Sequence, residues 1–370
     1  MASKKPTSVS DMRPKTLIVG VYAPGNKIKS MQHYFDEFLS LIKTLGLQYD
    51  ESYFTKVREI EKNNYLTKGK LQELVEFCDK HAIEEVIFSD LLSPLQERNL
   101  EDALNCPVFD REKIILEIFK KSAHSSEGKI QIEIAELNFE RTRLLGKGKE
   151  YAQQAGYVGT RGPGETISEE IRRQFDEKFR QANKKLETLQ KSRTVQRKQR
   201  LKTGKPQLCI IGYTNAGKSS LLNQLTKSNI LAENKLFATL DTTTRELFLG
   251  ENKQVLISDT VGFISQLPHS LIEAFKSTLD ELQYASLLLH VIDLSNPAWI
   301  DQINVVQKTL HEIKVDKPIL YVFNKIDSIT QETLETLEPE LHAFQPHVSI
   351  HTTSKEGIQP LLDYLKTYKF

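Results

Sequence analysis

The stretch QLCIIGYTNAGKSS, from Gln207 to Ser220, constrains the fold more than any other part of the chain. An apolar run passes into a glycine-bounded loop that matches GxxxxGK[ST] and then opens a helical pattern. Strand, glycine loop and helix in that order belong to a parallel sheet flanked by helices, with the loop at the carboxyl edge. Glycine at Gly212 and Gly217 lets the main chain wrap closely around phosphates, and the amides of Tyr213, Thr214, Asn215 and Ala216 form an anion nest. Lys218 is placed to reach β- and γ-phosphate oxygens and the Ser219 hydroxyl to ligate Mg2+. Ser220 lies in the helix N-terminus, whose dipole faces the same anion. The bland reading is a glycine turn that matches by chance.

Three further stretches follow in the order that such a site requires. LISDTVG ends an apolar strand on Asp259, where a second Mg2+-directed carboxylate belongs, and Gly262 can offer its amide to a γ-phosphate. Between the two motifs, LFATLDTTTRE (Leu236 to Glu246) is polar and threonine-rich, suited to a mobile switch loop. One of its hydroxyls, with Thr243 favoured over Thr242 and Thr244, would complete the Mg2+ shell. NKID, Asn324 to Asp327, follows the strand PILYVF. The Asp327 carboxylate can accept from both the ring N–H and the exocyclic amine of guanine, Asn324 can tie the loop to the glycine loop, and the Lys325 stem can cover the base. TTSKEG then supplies a base-facing loop at Thr353, Ser354 and Lys355. Alone each motif is short; in this order they specify GTP over ATP. One residue stands out, because Phe263 occupies the place where a polar side chain would orient the attacking water, which a phenylalanine cannot do.

The remainder of the chain divides by texture. Apolar strands alternate with helical patterns from Thr16 to about Ser122: TLIVGVY, MQHYFDEFLSLIKTLG ended by Gly46, SYFTKVREI, KLQELVEFCDKH, EEVIFSD, a helix opened by Ser93 and Pro94, CPVFD and REKIILEIFKKSA. That alternation predicts an α/β domain with a parallel sheet. From Glu127 the spacing is helical, with Gly146 and Gly148 as weak points. Gly156, Gly159, Gly162 and Gly164 then crowd into GYVGTRGPGETISEE, and a helix resumes after Thr166 to about Leu201. Between Arg172 and Lys202 only Asp176, Glu177 and Glu187 oppose a long run of lysine and arginine. Two helices flanking a glycine loop predict an antiparallel hairpin. A charge run of this kind is ordinarily a solvated helix face.

Composition excludes several classes. The 370 residues are 39% hydrophobic and 27% charged with net charge +1, so no global field draws the molecule to nucleic acid or membrane and any basic footprint is local. No segment approaches the roughly 18 apolar residues of a membrane span. Cys78, Cys106 and Cys209 have no CxxC spacing, and the histidines form no HExxH pattern, which speaks against disulfides and zinc. A reducing, cytoplasmic setting is expected.

These residues resemble translation-factor-class GTPases, and within them the HflX-type ribosome-associated GTPases. GYVGTRGPGETISEEIRR is similar to that family's glycine loop and following helix. YLTKGKLQEL, FDREKIILEIF and EGKIQIEIAEL resemble its N-terminal region, and LFATLDTTTR and DTVGFISQLPHSLIEAFKSTLDE its switches. The resemblance implies a disordered N-terminus (1–14), an N-terminal α/β domain (15–125), a helical hairpin with a glycine-rich loop (126–204) and a C-terminal P-loop GTPase domain (205–370). It implies GTP hydrolysis with Mg2+ and binding to the large ribosomal subunit and its 23S rRNA. Arg161, Gly162, Gly164, Arg172 and Arg173 would be RNA contacts, and a monomer would split ribosomes or prevent their association, rescuing stalled ones under stress. Related GTPases with a hydrophobic residue at the Phe263 position include some in which an Asn of the P-loop helps hold K+ beside the phosphates; Asn215 stands there, and a role only in the turn is the alternative. Two departures are that Thr242 replaces a frequent proline, and that the sequence ends at the last helix of the GTPase domain where many relatives continue. Two other readings stay open: a GTP-dependent RNA-binding module with little hydrolysis, and a GTPase component of an RNA-modification enzyme.

Overall fold

The computed structural model describes residues 13–23, 30–154, 163–202, 204–226, 236–237, 243–250, 253–275 and 279–370, with side chains left aside at 144–154, 163–171, 192–202, 269, 273–274 and 280. Two compact units result, one built on β1 and Met31–Ile115, the other on Leu116–Phe370.

In the first unit, β1 (Thr16–Tyr22), β2 (Glu51–Lys56), β3 (Glu85–Phe88) and the two-residue β4 (Val108–Phe109) form a parallel sheet in the order β2-β1-β3-β4. Helices α1 (Met31–Leu45), α2 (Lys68–His81) and α3 (Pro94–Leu104) alternate with them, and α4 (Arg111–Ser122) follows. Gly46, at φ +76°, ends α1 as the sequence predicts. Ser93 opens α3 with a capping box: its side chain accepts from the Gln96 amide while the Gln96 side chain accepts from Ser93 N–H. Both faces of β1 are buried, as a central parallel strand requires. At the carboxyl ends of the strands lies a buried polar network: the Ser89 hydroxyl accepts from Val21 N at 3.1 Å and donates to Asp90 Oδ2 at 2.6 Å. Fully buried Arg111 pairs with Glu37, so this charge is neutralised inside the unit.

The second unit opens with a long helical pair. α5 (Ser126–Gln154) runs through Gly146 and Gly148 without a break, and α6 (Pro163–Lys202) begins at the proline rather than after Thr166. Proline suits a first helical position because its missing N–H would be unpaired there anyway. Gly164 therefore lies in the first turn of α6, not in a loop. The two helices pack on each other, with Arg141 of α5 meeting Asp176 of α6 at 3.6 Å.

A six-stranded sheet in the order β10-β9-β8-β5-β7-β6 forms the rest. β5 (Gln207–Gly212), β7 (Lys253–Asp259), β8 (Leu287–Asp293), β9 (Ile319–Asn324) and β10 (His347–Ser349) are parallel, and β6 (Thr244–Gly250) pairs antiparallel with β7. The sequence reading placed Thr244 to Glu246 in the switch loop; they belong to β6, whose Leu247 and Leu249 face the core while Phe248 is exposed. Around the sheet stand α7 (Lys218–Thr226), α8 (His269–Ala274), α9 (Trp299–Glu312), α10 (Gln331–Leu341) and α11 (Gln359–Thr367). The Lys253 ammonium donates to the carbonyls of Leu365, Lys366 and Tyr368 at 3.0, 2.9 and 2.6 Å, closing the carboxyl end of α11. Trp299 packs edge-on against Phe323 and Phe344.

His290, on β8, is buried with Nδ1 lacking a partner among the described residues, and burial first, then nearby Lys218, pushes its pKa down to about 3. An unfolded chain takes up this proton as pH falls through 6.5, whereas the folded one waits until about 3, so stability is lost as pH falls across that window. His290→Phe is expected to flatten that loss by about 2 kcal/mol between pH 7 and pH 5. Urea unfolding followed by Trp299 fluorescence at the two pH values measures it; parallel curves for both proteins would rule the effect out.

Candidate functional site

β5, β7, β8 and β9 end side by side, and the three guanine-nucleotide motifs sit at their carboxyl tips, the edge where open α/β sheets bind ligands. Gly212, at φ +149°, presses on the Val291 carbonyl of β8, where any Cβ would collide. Gly217, at φ +95°, leaves the space that the Asn324 side chain occupies. Asn324, fully buried, donates from Nδ2 to Ala216 O at 2.9 Å, and Lys325 Nζ donates to Asn215 O at 3.0 Å. The base-reading loop is thus fastened to the phosphate loop by two charged or polar side chains, as the sequence suggested for Asn324. Asn215 itself is exposed and takes φ +62°.

Lys218 is only 7% exposed; its ammonium donates to Tyr213 O at 2.7 Å. Burial pushes its pKa down to about 8 although Asp259 pulls the other way. The Ser219 hydroxyl donates to Asp259 Oδ2 at 2.9 Å. Asp259 is fully buried, with Thr260 N donating to its Oδ1 at 2.9 Å. Thr243 stands beside them: its carbonyl accepts from Asp259 N at 3.2 Å, and its Oγ1 is buried without a hydrogen-bond partner among the described residues. Two hydroxyls and a carboxylate, one hydroxyl unsatisfied, are a donor set that fits a hard cation. Thr242 lies outside the described residues.

Asp327 accepts from Thr353 Oγ1 at 3.2 Å, and that hydroxyl also meets His351 Nδ1 at 2.7 Å, so the carboxylate is held from behind while its other oxygen stays available to a base. Ser354 Oγ accepts from Gly357 N at 3.3 Å, which shapes the same loop, and Lys355 is exposed on it. Ser220 is half-buried in the first turn of α7.

Sequence reasoning missed Asp293. It ends β8 opposite Asn324 and its Oδ2 takes the Lys325 ammonium at 2.7 Å. The signal was present, an acid at the tip of a buried strand like Asp259, but its partner lies in the loop after another strand. Phe263, the residue that raised the question of hydrolysis, is 2% exposed and turned into the core. Its main chain is bridged to Tyr213 of the phosphate loop.

On the hairpin, Arg172 and Arg173 are exposed on α6 and, with Asp176, Phe179 and Arg180, line a groove. Arg161 and Gly162 lie outside the described residues.

Comparison with known proteins decides the family. The family profile described as GTP-binding GTPase N-terminal matches residues 32–120, the one described as GTP-binding GTPase Middle Region 122–200, and the one described as 50S ribosome-binding GTPase 207–325. GTPase HflX of Caldanaerobacter subterraneus is 46% identical over 79% of this chain and 68% of its own length. The chain belongs to the HflX family of GTPases. GTPase HflX of Lacrimispora saccharolytica is 43% identical over 90% of this chain and 78% of its own. A GTP-binding protein of the archaeon Sulfolobus solfataricus, solved with GDP, aligns over 95% of this chain and 99% of its own at 24% identity and TM-score 0.44.

Membership in HflX makes the chain a GTPase, and GTPases of this class use Mg2+. Ser219, Asp259 and Thr243 are the residues that would hold the ion, which would supply charge neutralisation to bound phosphate. Among the described residues no helix is long and apolar enough to cross a membrane.

Proposed function

We propose that this HflX-family GTPase acts in the cytoplasm as a monomer on the large ribosomal subunit, bound in its GTP form and released on hydrolysis, and that it splits ribosomes or keeps subunits apart, including stalled ribosomes under stress. The observation that carries this reading is the pairing, in one chain, of a guanine-nucleotide site with a basic helical hairpin; the match of residues 207–325 to a family described as 50S ribosome-binding GTPase supports it. The chain is read as an α/β domain (15–125), a hairpin (126–204) and the GTPase domain (205–370). Arg172 and Arg173, with Arg161 and the glycines Gly162 and Gly164 near the hairpin tip, are the proposed contacts to 23S rRNA. Binding through phosphates falls steeply with salt.

Because Phe263 is turned into the core, the attacking water is held by main-chain and switch groups, with K+ at Asn215 supplying positive charge beside the phosphates. The second reading, a GTP-dependent binding module with little turnover, also draws on the Phe263 position. GTP turnover in K+ buffer, with and without purified 50S subunits and repeated in Na+, separates them. Turnover is expected to rise with 50S subunits and to fall in Na+. GTP binding without turnover in any condition would favour the module, and equal rates in K+ and Na+ would remove K+ from the mechanism.

A further inference from the structure

The segment after Asp259 is joined to the phosphate loop by three main-chain-directed bonds. Phe263 N donates to Gly212 O at 3.1 Å, Thr214 N donates to Phe263 O at 2.8 Å, and Ser265 N donates to the Tyr213 phenol oxygen at 2.7 Å. The first two make Tyr213 and Phe263 a parallel bridge, a short continuation of sheet pairing beyond β5 and β7. The third differs in kind. It spends a phosphate-loop side chain on a switch amide, and it is the shortest of the three. Tyr213, Phe263, Ile264 and Ser265 are 4%, 2%, 1% and 3% exposed, so water is shut out of the join.

The join settles Gly262 on Lys218. A methyl built on Gly262 would stand 3.0 Å from the Lys218 ammonium and 2.9 Å from Thr214 Cγ2. A γ-phosphoryl group is far bulkier than a methyl, so it cannot stand between Gly262 and Lys218 while the join is made. Protein atoms alone leave Lys218 7% exposed.

We infer that Tyr213 is a positioning residue: its phenol latches the start of the second switch over Lys218, and a nucleotide carrying a γ-phosphate must break that latch, whereas GDP need not. The inference rests on the reading of the site as a guanine-nucleotide site and gives Phe263 a purpose. A buried apolar side chain anchors the latch in the core, where a polar residue would pull it into water. Tyr213 touches no reacting atom; it acts through Gly262.

Tyr213→Phe keeps the ring and removes the acceptor. Affinities of the full chain for GDP and for a non-hydrolysable GTP analogue, measured by calorimetry with Mg2+ present, read the effect. The ratio of GTP-analogue to GDP affinity is expected to rise about 3- to 10-fold, the worth of one hydrogen bond to a buried amide. A ratio unchanged within twofold would make Tyr213 a packing residue, and a ratio that falls would place the bond in the γ-phosphate-bound state; either overturns the latch. Failure to bind either nucleotide would overturn the reading of the site and the latch with it. Hydrogen exchange in the unsubstituted protein gives a second measure independent of the variant. The Ser265 amide should be protected with GDP and exchange faster with the GTP analogue, and equal protection in both would count against the latch.

Discussion

Lys218→Ala should lower kcat/KM for GTP by about 10³-fold. The lysine opens α7 at the end of the phosphate loop, in a desolvated place where a charge interacts far more strongly than in water. Its pKa, pushed down to about 8 by burial, shows how poorly the folded protein tolerates this ammonium without an anion. Phosphate oxygens answer that, and the interaction grows as charge moves onto them in the transition state. Folding should survive, because alanine removes a buried charge rather than stranding one; Tyr213 O is left with one donor fewer. Steady-state turnover with a parallel melting curve checks both halves. A variant retaining a tenth of the activity would mean that another cation carries the phosphate charge.

Asp327→Asn should weaken GTP binding by about 10²- to 10³-fold and favour xanthosine triphosphate. A carboxylate accepts from both donors on the guanine edge, whereas an asparagine amide presents a donor of its own to one of them. The site then holds two donors facing each other, unpaired and out of water. Xanthine carries a carbonyl where guanine carries its amine, so the Asn side chain finds a complementary edge. Thr353, fixed at 3.2 Å from the Asp327 carboxylate, keeps the side chain in the same place in both proteins. Dissociation constants for the two nucleotides decide the matter, and an unchanged preference for GTP would place base recognition elsewhere.

Much of the fold was open to reading because burial leaves a period in the sequence. The apolar runs of β5, β7, β8 and β9 are continuous where both faces of the strand are covered. The glycines of the phosphate loop were legible for a related reason, since Gly212 and Gly217 are the positions where a neighbour forbids a Cβ. Other features yielded to tertiary context. β6 begins in a threonine-rich polar stretch and shows only one buried face, so its start looked like loop. Gly146 and Gly148 stay helical although each costs about 1 kcal/mol relative to alanine. Pro163 starts a helix amid glycines that drew attention to a loop. In the site, the order of motifs picked out Ser219, Asp259 and Asn324, which the fold brings to the phosphate loop. It gave no sign of the Tyr213 phenol on the Ser265 amide or of Asp293 under Lys325, because those pairings join segments distant in sequence.

The antiparallel pairing of β6 with β7 carries a mechanical corollary. Thr243, just before β6, and Asp259, at the end of β7, are neighbouring ends of one hairpin, clasped where Asp259 N meets Thr243 O at 3.2 Å. The hairpin's opposite end is pinned where Lys253 grips three carbonyls at the end of α11. A rod held at one end and gripped at the other transmits force along its length. A displacement of Asp259 is therefore expected to reach Thr243 through the bond between them.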